Sequence, residues 1–337
     1  MSDEPTAEAR APISRELPLD ELTARVAHLV DATVADVQRV HGGASGLTYS
    51  ATIVDGRHAG RVVVKVAPVG LPPVRNRDVL RQARVLEALK DSPVAVPAVV
   101  GSDPGDPPDV PPLFVMRFVE GEDVEPLLTA DLALDRETID SRTDHAAEML
   151  AALHRCSVVD GADEPTDLDA EIERWAAAFR TVDDDLKIGA DEVLARLRAT
   201  IPSPVAPCLI HGDWRLGNML SEGDRVRAVI DWELWSHGDP RVDLGWFELF
   251  SDPRHPLRAN PTGDLADHDR IVETYRQHSS SSVDHREWFG ALVRYKQAAI
   301  SALILKNARK NPRPSLDPTR ITNSIEPLLR AAMVRVS

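Results

Sequence analysis

Cysteine and aromatic residues are scarce in this chain. Its 337 residues include two cysteines, Cys156 and Cys208, and neither lies in a Cys-x-x-Cys pair. Two thiols make no disulfide framework, so the sequence favours a reducing compartment, and we predict a cytoplasmic protein. Aromatic residues make up only 4% of a chain that is 43% hydrophobic. A sizeable core must therefore be filled mainly by Leu, Val and Ala.

Basic residues are in the minority, and long apolar runs are missing. Lys and Arg number 39 against 54 Asp and Glu, which gives a formal net charge of −15. An acidic surface repels nucleic acid and anionic membranes, so we predict neither as a partner. No run approaches the roughly 18 apolar residues of a membrane span. Residues 1–16 are acidic, lack the apolar core of a signal peptide, and are predicted to be a flexible tail.

The hydrophobic periodicity changes along the chain. Up to Gly121 it is β-rich: two runs flank a glycine-rich turn, and RVVVKV and LFVMRFVEG follow. Between them, PAVVGSDPGDPPDVPP is too rich in Pro, Gly and Asp to predict a regular element. Helical spacing predicts the segments Leu19–Ala32, Val79–Leu89, Asp140–Arg155, Asp169–Arg180, Asp191–Thr200, Asp269–His278, Arg286–Lys306 and Ile321–Val334. We predict an α+β fold with a nucleotide-binding N-lobe over 17–121 and a larger, mostly helical C-lobe over 122–337.

The segment from His211 to Trp246 points to a reaction. It places Asp213, Asn218 and Asp231 on two short turns joined by about one hairpin. ATP-dependent phosphoryl transfer needs such a set, because one group takes the proton of an attacking hydroxyl and two hold magnesium against the nucleotide phosphates. Each motif alone is common, since Asp-x-x-x-x-Asn is ordinarily a capped turn. Their combination predicts a kinase.

This segment resembles the catalytic and metal-binding loops of the aminoglycoside phosphotransferase and choline kinase-like enzymes, which are distant relatives of the protein kinases. The resemblance implies a protein kinase-like bilobal fold, with Asp213 as the catalytic base and Asn218 and Asp231 as Mg²⁺ ligands. Arg215 could stabilise charge on the transferring phosphoryl group; the alternative is a solvent-facing arginine. We interpret His211 as a packed residue that fixes the loop.

By the same resemblance, Asp243 in GDPRVDLGW braces the catalytic loop without touching substrate. The acceptor pocket is expected from Asp167–Thr200 and Phe247–Asn311. The tryptophans Trp214, Trp232 and Trp246 are either packing residues or part of the cleft lining.

The resemblance also implies a nucleotide site in the N-lobe. A glycine-rich turn carries Gly42, Gly43, Ser45 and Thr48, where glycines let the backbone approach phosphate closely. Lys65 follows in the apolar strand VVVKV, where an unpaired charge is costly. The resemblance makes Lys65 the contact to the α- and β-phosphates; the alternative is an edge-strand lysine that points to solvent.

Gln82 occupies the position at which relatives carry the glutamate that pairs with this lysine. Either Gln82 suffices, or Asp78 or Glu87 substitutes, or the site is weakened. Met116 and Phe118 belong to a segment resembling the hinge that meets the nucleotide base, with an ordinary strand as the alternative.

Finer detail in HGDWRLGN, IDWE and VRYKQAAISALIL resembles the phosphotransferase domains fused to acyl-CoA dehydrogenases and their free-standing bacterial relatives. We therefore predict an O-phosphotransferase that uses ATP or GTP with Mg²⁺ and phosphorylates a hydroxyl group of a small molecule. The resemblance implies a hydroxyacyl-CoA-like acceptor. An aminoglycoside or macrolide resistance kinase and a nucleotide-binding pseudokinase are the alternatives. The sequence carries no signal for an oligomeric state.

Overall fold

The structure is a computed structural model that describes residues 16–40, 47–156, 159, 163–310 and 317–337. The chain divides into two compact units. The small unit comprises the chain up to Glu87 together with Pro97–Phe118, and the large unit comprises Ala88–Val96 and Val119–Ser337. The lobe boundary between residues 121 and 122 stays a prediction. Of the predicted tail, only Glu16 lies within the described residues.

An antiparallel sheet forms the centre of the small unit. Its described strands are β1 (Val34–Val40), β2 (Leu47–Ile53), β3 (Gly60–Val66), β4 (Val99–Asp103) and β5 (Leu113–Arg117). Their spatial order is β1-β2-β3-β5-β4. Helix α1 (Leu19–Val30) precedes the sheet, and helix α2 (Val79–Leu89) follows β3. The antiparallel hairpins and both helices confirm the predicted pattern.

Alternation along β2 and β3 divides the sheet into two faces. One face carries the buried side chains Tyr49, Ala51, Ile53, Val62, Val64 and Val66, which cluster with Leu22, Val26 and Val30 of α1. Because neighbouring side chains on a strand point to opposite faces, the residues between them face away from α1. Thr48 and Lys65 are direct partners across β2 and β3 on that second face.

Strand β4 corrects the prediction that Pro97–Pro112 has no regular structure. It lies at the edge of the sheet and, among the described strands, pairs with β5 alone, with a register shift between Val99 and Gly101. Its side chains are mostly half-buried, so its sequence lacks the alternation of a strand with one buried face. Pairing with β5 therefore overrides weak local propensity, as is common in sheets. Asp103 at its end accepts hydrogen bonds from Arg25 of α1 at 2.6 and 3.0 Å.

The large unit consists of helices and two small two-stranded sheets. Its described helices are α3 (Arg136–Leu153), α4 (Leu168–Phe179), α5 (Ala190–Ala199), α6 (Pro240–Leu249), α7 (His268–His278), α8 (Arg286–Lys310) and α9 (Pro318–Arg335). The strands are β6 (Cys208–Ile210), β7 (Met219–Glu222), β8 (Arg225–Val229) and β9 (Ser236–Gly238). Strand β6 pairs with β9, and β7 pairs with β8. Strand β9 is an addition to the predicted pattern.

The main core of the large unit lies between α4, α5, α8 and α9. It buries aromatic side chains such as Trp175, Phe179 and Tyr295 among many Leu, Val and Ala residues. Aspartates open several helices, and the carboxylates of Asp135, Asp167, Asp239, Asp267 and Asp317 accept hydrogen bonds from first-turn amides. None of the helices in the described ranges is long and apolar enough to cross a membrane.

Leu22→Ala tests the packing of α1 on the sheet. Leu22 is fully buried, so its truncation should lower the free energy of unfolding by about 2–5 kcal/mol. Leu19→Ala is the matched control, because Leu19 lies on the same helix with half of its surface exposed and should cost less than about 0.5 kcal/mol. Urea denaturation measures both values. Equal losses would contradict the burial of this helix face.

Candidate active site

A short hairpin brings Asn218 next to Asp231. Strand β7 starts directly after Asn218, and β8 ends two residues before Asp231, with Met219 opposite Val229. The amide of Ile230 donates a 2.9 Å hydrogen bond to the carbonyl of Asn218, which extends the pairing beyond the strands. The hairpin expected between the two motifs is therefore present. It fixes the backbone of both predicted metal ligands through local contacts.

The carboxylate of Asp213 is held by three side chains. Oδ1 accepts hydrogen bonds from Trp246 Nε1 at 2.6 Å and from Arg215 Nε at 3.2 Å. Oδ2 accepts a 2.8 Å bond from Asn218 Nδ2, which also donates to the Asp213 carbonyl. About a fifth of the Asp213 side chain stays exposed. Such a carboxylate is an oriented acceptor, able to receive a hydrogen bond from a hydroxyl group.

The backbone before Asp213 is fixed by Asp243 on α6. The amides of His211 and Gly212 donate to the two oxygens of Asp243 at 2.6 and 2.8 Å. Burial opposes the charge of Asp243, but interactions with His154 and His211 outweigh it and hold the pKa of Asp243 below its ordinary value. These contacts agree with the expectation that Asp243 braces the loop.

His211 is a packed residue, as expected. Its Nδ1 accepts from the Asp213 amide at 3.2 Å, so the ring proton lies on Nε2, which donates to the Ile230 carbonyl at 3.0 Å. Burial lowers the pKa of His211 and keeps the ring neutral. The ring centroids of Trp214 and Trp232 lie 5.7 and 4.6 Å from that of His211, and both tryptophans are buried. His211 thus connects the catalytic loop to the strand end before Asp231.

Glycine is required between His211 and Asp213. Gly212 has a φ of +84°, and a Cβ there would lie 2.7 Å from the Leu234 carbonyl oxygen. Any other residue would combine an unfavourable backbone angle with a steric clash. The glycine of the HGD motif therefore follows from close packing of the loop against the turn after Asp231.

Arg215 lies between two carboxylates. In addition to Asp213, its Nη1 lies 3.7 Å from Oε2 of Glu125, and its guanidinium is 5.4 Å from the ring centroid of Phe250. About a fifth of the Arg215 side chain is exposed, so the solvent-facing alternative is wrong. Buried Glu125 also accepts from the Gly217 amide at 3.1 Å, and burial raises the pKa of Glu125.

Asp231 has an uncommon backbone conformation. Its φ of 62° and ψ of 52° place it in the left-handed region, directly before a 3₁₀ turn at Trp232–Leu234. Residues other than glycine adopt this conformation rarely, and such outliers cluster at functional sites. The strain is consistent with the role predicted for Asp231.

The donor set fits a magnesium ion. Because Nδ2 of Asn218 donates to Asp213, its Oδ1 is the atom that can act as a ligand, beside the carboxylate of Asp231. No group of three or more His, Cys, Asp and Glu residues that could hold a metal occurs in the described ranges. Mg²⁺ suits such a sparse set, since it binds through one or two protein oxygens and substrate phosphates.

The predicted nucleotide-binding residues lie in the small unit. Thr48 and Lys65 stand opposite each other, and Met116 pairs with Val63, so all three side chains share the sheet face that points away from α1. Gly42, Gly43 and Ser45 lie outside the described residues. The grouping of Thr48, Lys65 and Met116 supports a ligand-binding face, and their roles stay predictions.

Gln82 and Phe118 have different surroundings. Gln82 is buried on α2. The carboxylate of Asp78, four residues before Gln82, accepts hydrogen bonds from the Arg81 amide at 3.2 Å and from the Arg84 side chain at 3.3 Å.

The ring of Phe118 lies 3.6 Å from the guanidinium of Arg61. The amides of Arg117 and Phe118 donate to carbonyls of Ala98 and Arg61. These two amides are therefore already engaged, and a nucleotide base would have to meet other groups of this segment.

The model of the Phosphotransferase enzyme family (APH) matches residues 36–278 of the chain. The chain belongs to this family. Membership of this family confirms the predicted phosphotransferase class. The match covers the sheet of the small unit and the Asp213 network alike.

Solved structures share the fold over nearly the whole chain. A protein of Ralstonia eutropha JMP134, provisionally assigned as an aminoglycoside phosphotransferase, has a TM-score of 0.77 at 19% identity, covering 95% of this chain and 98% of that one. Aminoglycoside phosphotransferase APH(4)-Ia, in a ternary complex with ADP and hygromycin B, has a TM-score of 0.61 at 16% identity, with coverage of 92% and 98%. The protein kinase-like α+β bilobal fold is thereby confirmed.

Curated relatives confirm the finer resemblance. The mouse (Mus musculus) acyl-CoA dehydrogenase family member 10 is 24% identical over 216 residues, which are 60% of this chain and 19% of that protein. The mouse family member 11 is 25% identical over 175 residues, 48% of this chain and 22% of that protein. The chain thus spans about a fifth of the length of these relatives.

Gly217→Ala tests the position of Arg215. A Cβ at Gly217 would lie 2.2 Å from Arg215 Nη1 and 2.9 Å from Glu125 Cβ, so the guanidinium must shift from its present position. We expect turnover to fall roughly tenfold or more, because small displacements in an active site are costly. Arg215→Gln should give a similar loss. Steady-state release of ADP from ATP with magnesium measures both variants.

The double variant is the control for this prediction. Because both changes act on the same side chain, Gly217→Ala with Arg215→Gln should lose little more than the worse single variant. Losses that multiply would mean that Gly217 and Arg215 act independently.

Proposed function

We propose that this chain is a magnesium- and ATP-dependent O-phosphotransferase that phosphorylates a hydroxyl group of a small molecule, with Asp213 as the catalytic base. The carboxylate of Asp213, oriented by Trp246, Asn218 and Arg215, is the observation that carries the proposal. Phosphoryl transfer depends mainly on positioning and electrostatic stabilisation, so a base held by three donors suits this reaction.

Asp213 receives the hydrogen of the acceptor hydroxyl and directs its oxygen toward the γ-phosphorus. The proton moves to the carboxylate late, as the bond to phosphorus forms and the bond to the departing ADP oxygen breaks. Asn218 Oδ1 and the Asp231 carboxylate would hold magnesium, which neutralises the charge of the nucleotide phosphates when bound. Arg215 is placed to offset negative charge beside Asp213.

Thr48, Lys65 and Met116, which share one face of the small sheet, are proposed to bind the nucleotide together with Gly42, Gly43, Ser45, Gln82 and Phe118. Lys65 would contact the α- and β-phosphates. Gln82, an uncharged buried side chain, takes the place of the usual glutamate. The ADP in the APH(4)-Ia complex supports the use of an adenine nucleotide.

A hydroxyacyl-CoA-like metabolite is the proposed acceptor class. Its support is the resemblance to two acyl-CoA dehydrogenase family members at 24 and 25% identity. The structural neighbour with hygromycin B makes an aminoglycoside the competing class. The deciding experiment incubates the protein with Mg²⁺-ATP and a panel of hydroxyacyl-CoAs, free hydroxy acids and aminoglycosides, followed by mass spectrometry. A mass gain of one phosphate on aminoglycosides alone would refute the acyl-CoA class.

Asp213→Asn should abolish phosphoryl transfer and leave nucleotide binding nearly intact. The amide keeps the shape of the carboxylate but cannot accept a proton, and a positioned base typically contributes a factor of about 10²–10⁴. Turnover is measured as magnesium-dependent ADP release, and nucleotide affinity by calorimetry. Near-normal turnover in the folded variant would remove Asp213 from the catalytic role.

Asp231→Ala should weaken binding of Mg²⁺-ATP much more than binding of ATP without metal. The lost carboxylate is a proposed ligand of the ion and not of the nucleotide. Calorimetric titrations with magnesium and with EDTA compare the two affinities, and Glu233→Ala, two residues away, is the control. Equal losses with and without magnesium would place Asp231 away from the metal.

A further inference from the structure

Lys296 on α8 is a buried cation that was not among the predicted site residues. Only 2% of its surface is exposed, and its Nζ donates a hydrogen bond of 2.5 Å to the carbonyl of Gly212. The same Nζ lies 4.1 Å from the ring centroid of Trp246 and 5.5 Å from that of Trp175. Burying an ammonium group is costly unless it is paired, so a lysine at this position requires a reason.

The surroundings of Lys296 are those of a charged group. Two tryptophan faces offer cation–π contacts, which are strongest in desolvated places. Burial lowers the pKa of Lys296, and the carboxylates of Glu171, Asp213 and Asp243 counteract part of that effect, while Arg174 adds to it. Helix α4, which carries Glu171 and Arg174, also supplies Trp175, and the Nε1 of Trp175 donates a hydrogen bond of 2.7 Å to Glu171.

Two of the contacts of Lys296 lead to Asp213. Gly212 and Asp213 share one peptide unit, whose carbonyl accepts from Lys296 and whose N–H donates to His211. That peptide plane is therefore held at both ends. Trp246, which lies under the Lys296 ammonium, donates its indole N–H to Oδ1 of Asp213. The backbone and the side chain of the base thus both depend on groups that Lys296 contacts.

We propose that Lys296 is a positioning residue, which fixes the Gly212–Asp213 peptide and the Trp246 ring and thereby sets the orientation of the Asp213 carboxylate. This inference rests on the proposed function, in which Asp213 receives the hydroxyl hydrogen. It predicts that loss of the ammonium group reduces turnover without a matching loss of nucleotide affinity or of folding stability.

Lys296→Met is the decisive variant. Methionine has a similar length and is apolar, so it can fill the space of the lysine while removing the cost of burying an ammonium group. We expect turnover in magnesium-dependent ATP hydrolysis to fall roughly 10- to 100-fold, as for a displaced catalytic group. The KM for ATP should change by less than about threefold, because the proposed role of Lys296 concerns Asp213 and not nucleotide binding. The melting temperature should not decrease.

Two further variants serve as controls. Lys296→Gln is also uncharged but retains an N–H donor for the Gly212 carbonyl, so it should recover part of the turnover that Lys296→Met loses. Lys306→Met removes a half-buried lysine ten residues further along α8 and should leave ATP hydrolysis, measured without an acceptor, unchanged. Hydrogen exchange of the peptide that contains Gly212 and Asp213 gives a readout independent of activity, and it should become faster only in the Lys296 variants.

The outcomes separate this inference from the proposed function. Full turnover in Lys296→Met, with Asp213→Asn inactive, would overturn the role of Lys296 alone. Full turnover in Asp213→Asn would overturn the proposed base. Hydrogen exchange at Gly212 and Asp213 would then be the test of whether Lys296 fixes this peptide. A large loss of melting temperature in both Lys296→Met and Lys296→Gln, or unchanged exchange at this peptide, would make Lys296 a folding residue and defeat the proposal.

Discussion

One buried carboxylate, that of Asp243, bonds two consecutive backbone amides and holds the catalytic loop against α6. Trp246 lies three residues later on the same helix face and bonds the side chain of Asp213. A single turn of α6 therefore fixes both the loop backbone and the orientation of the proposed base, Asp213. The N-cap at Asp239 and the proline at the first helical position define where this turn begins. Any shift of α6 along its axis would move both contacts together.

Charge in the large unit is arranged around Arg215. Its guanidinium lies between Asp213 and Glu125, and despite burial these carboxylates raise the pKa of Arg215. The arginine is therefore permanently charged and already paired before substrate arrives. The catalytic contribution proposed for Arg215 depends on how its side chain is held, which is why the absence of a side chain at Gly217 matters. A neighbouring methyl group would occupy the space of the guanidinium.

The parts of the site that the sequence predicted are those made by short-range contacts. Asp213, Asn218 and Asp231 are recognisable because they fall within one motif and one hairpin. Glu125 was missed, since it meets Gly217 across 92 positions of the chain. Trp246 was considered as a packing or cleft-lining residue, because no pattern shows which donor reaches a given carboxylate. Strand β4 was missed for a related reason, since its pairing partner decides its structure.

Lys296 is a different kind of omission. The cost of a lysine in an apolar strand was the argument for Lys65, and the same argument applies to the apolar helix VRYKQAA. The sequence therefore carried a signal for Lys296. It could not show that the ammonium group meets Gly212, 84 positions earlier.

The β7–β8 hairpin separates the assembly of the site into two stages. The two proposed metal ligands are joined by neighbouring strands, and closing such a short loop has a small entropic cost. The contacts of Asp213 with α6 and of Gly212 with α8 close loops of 33 and 84 positions, which form more slowly. A chain that has folded only the hairpin would carry the backbone of the two proposed metal ligands without an oriented base. Competence for metal binding would then precede competence for chemistry during folding.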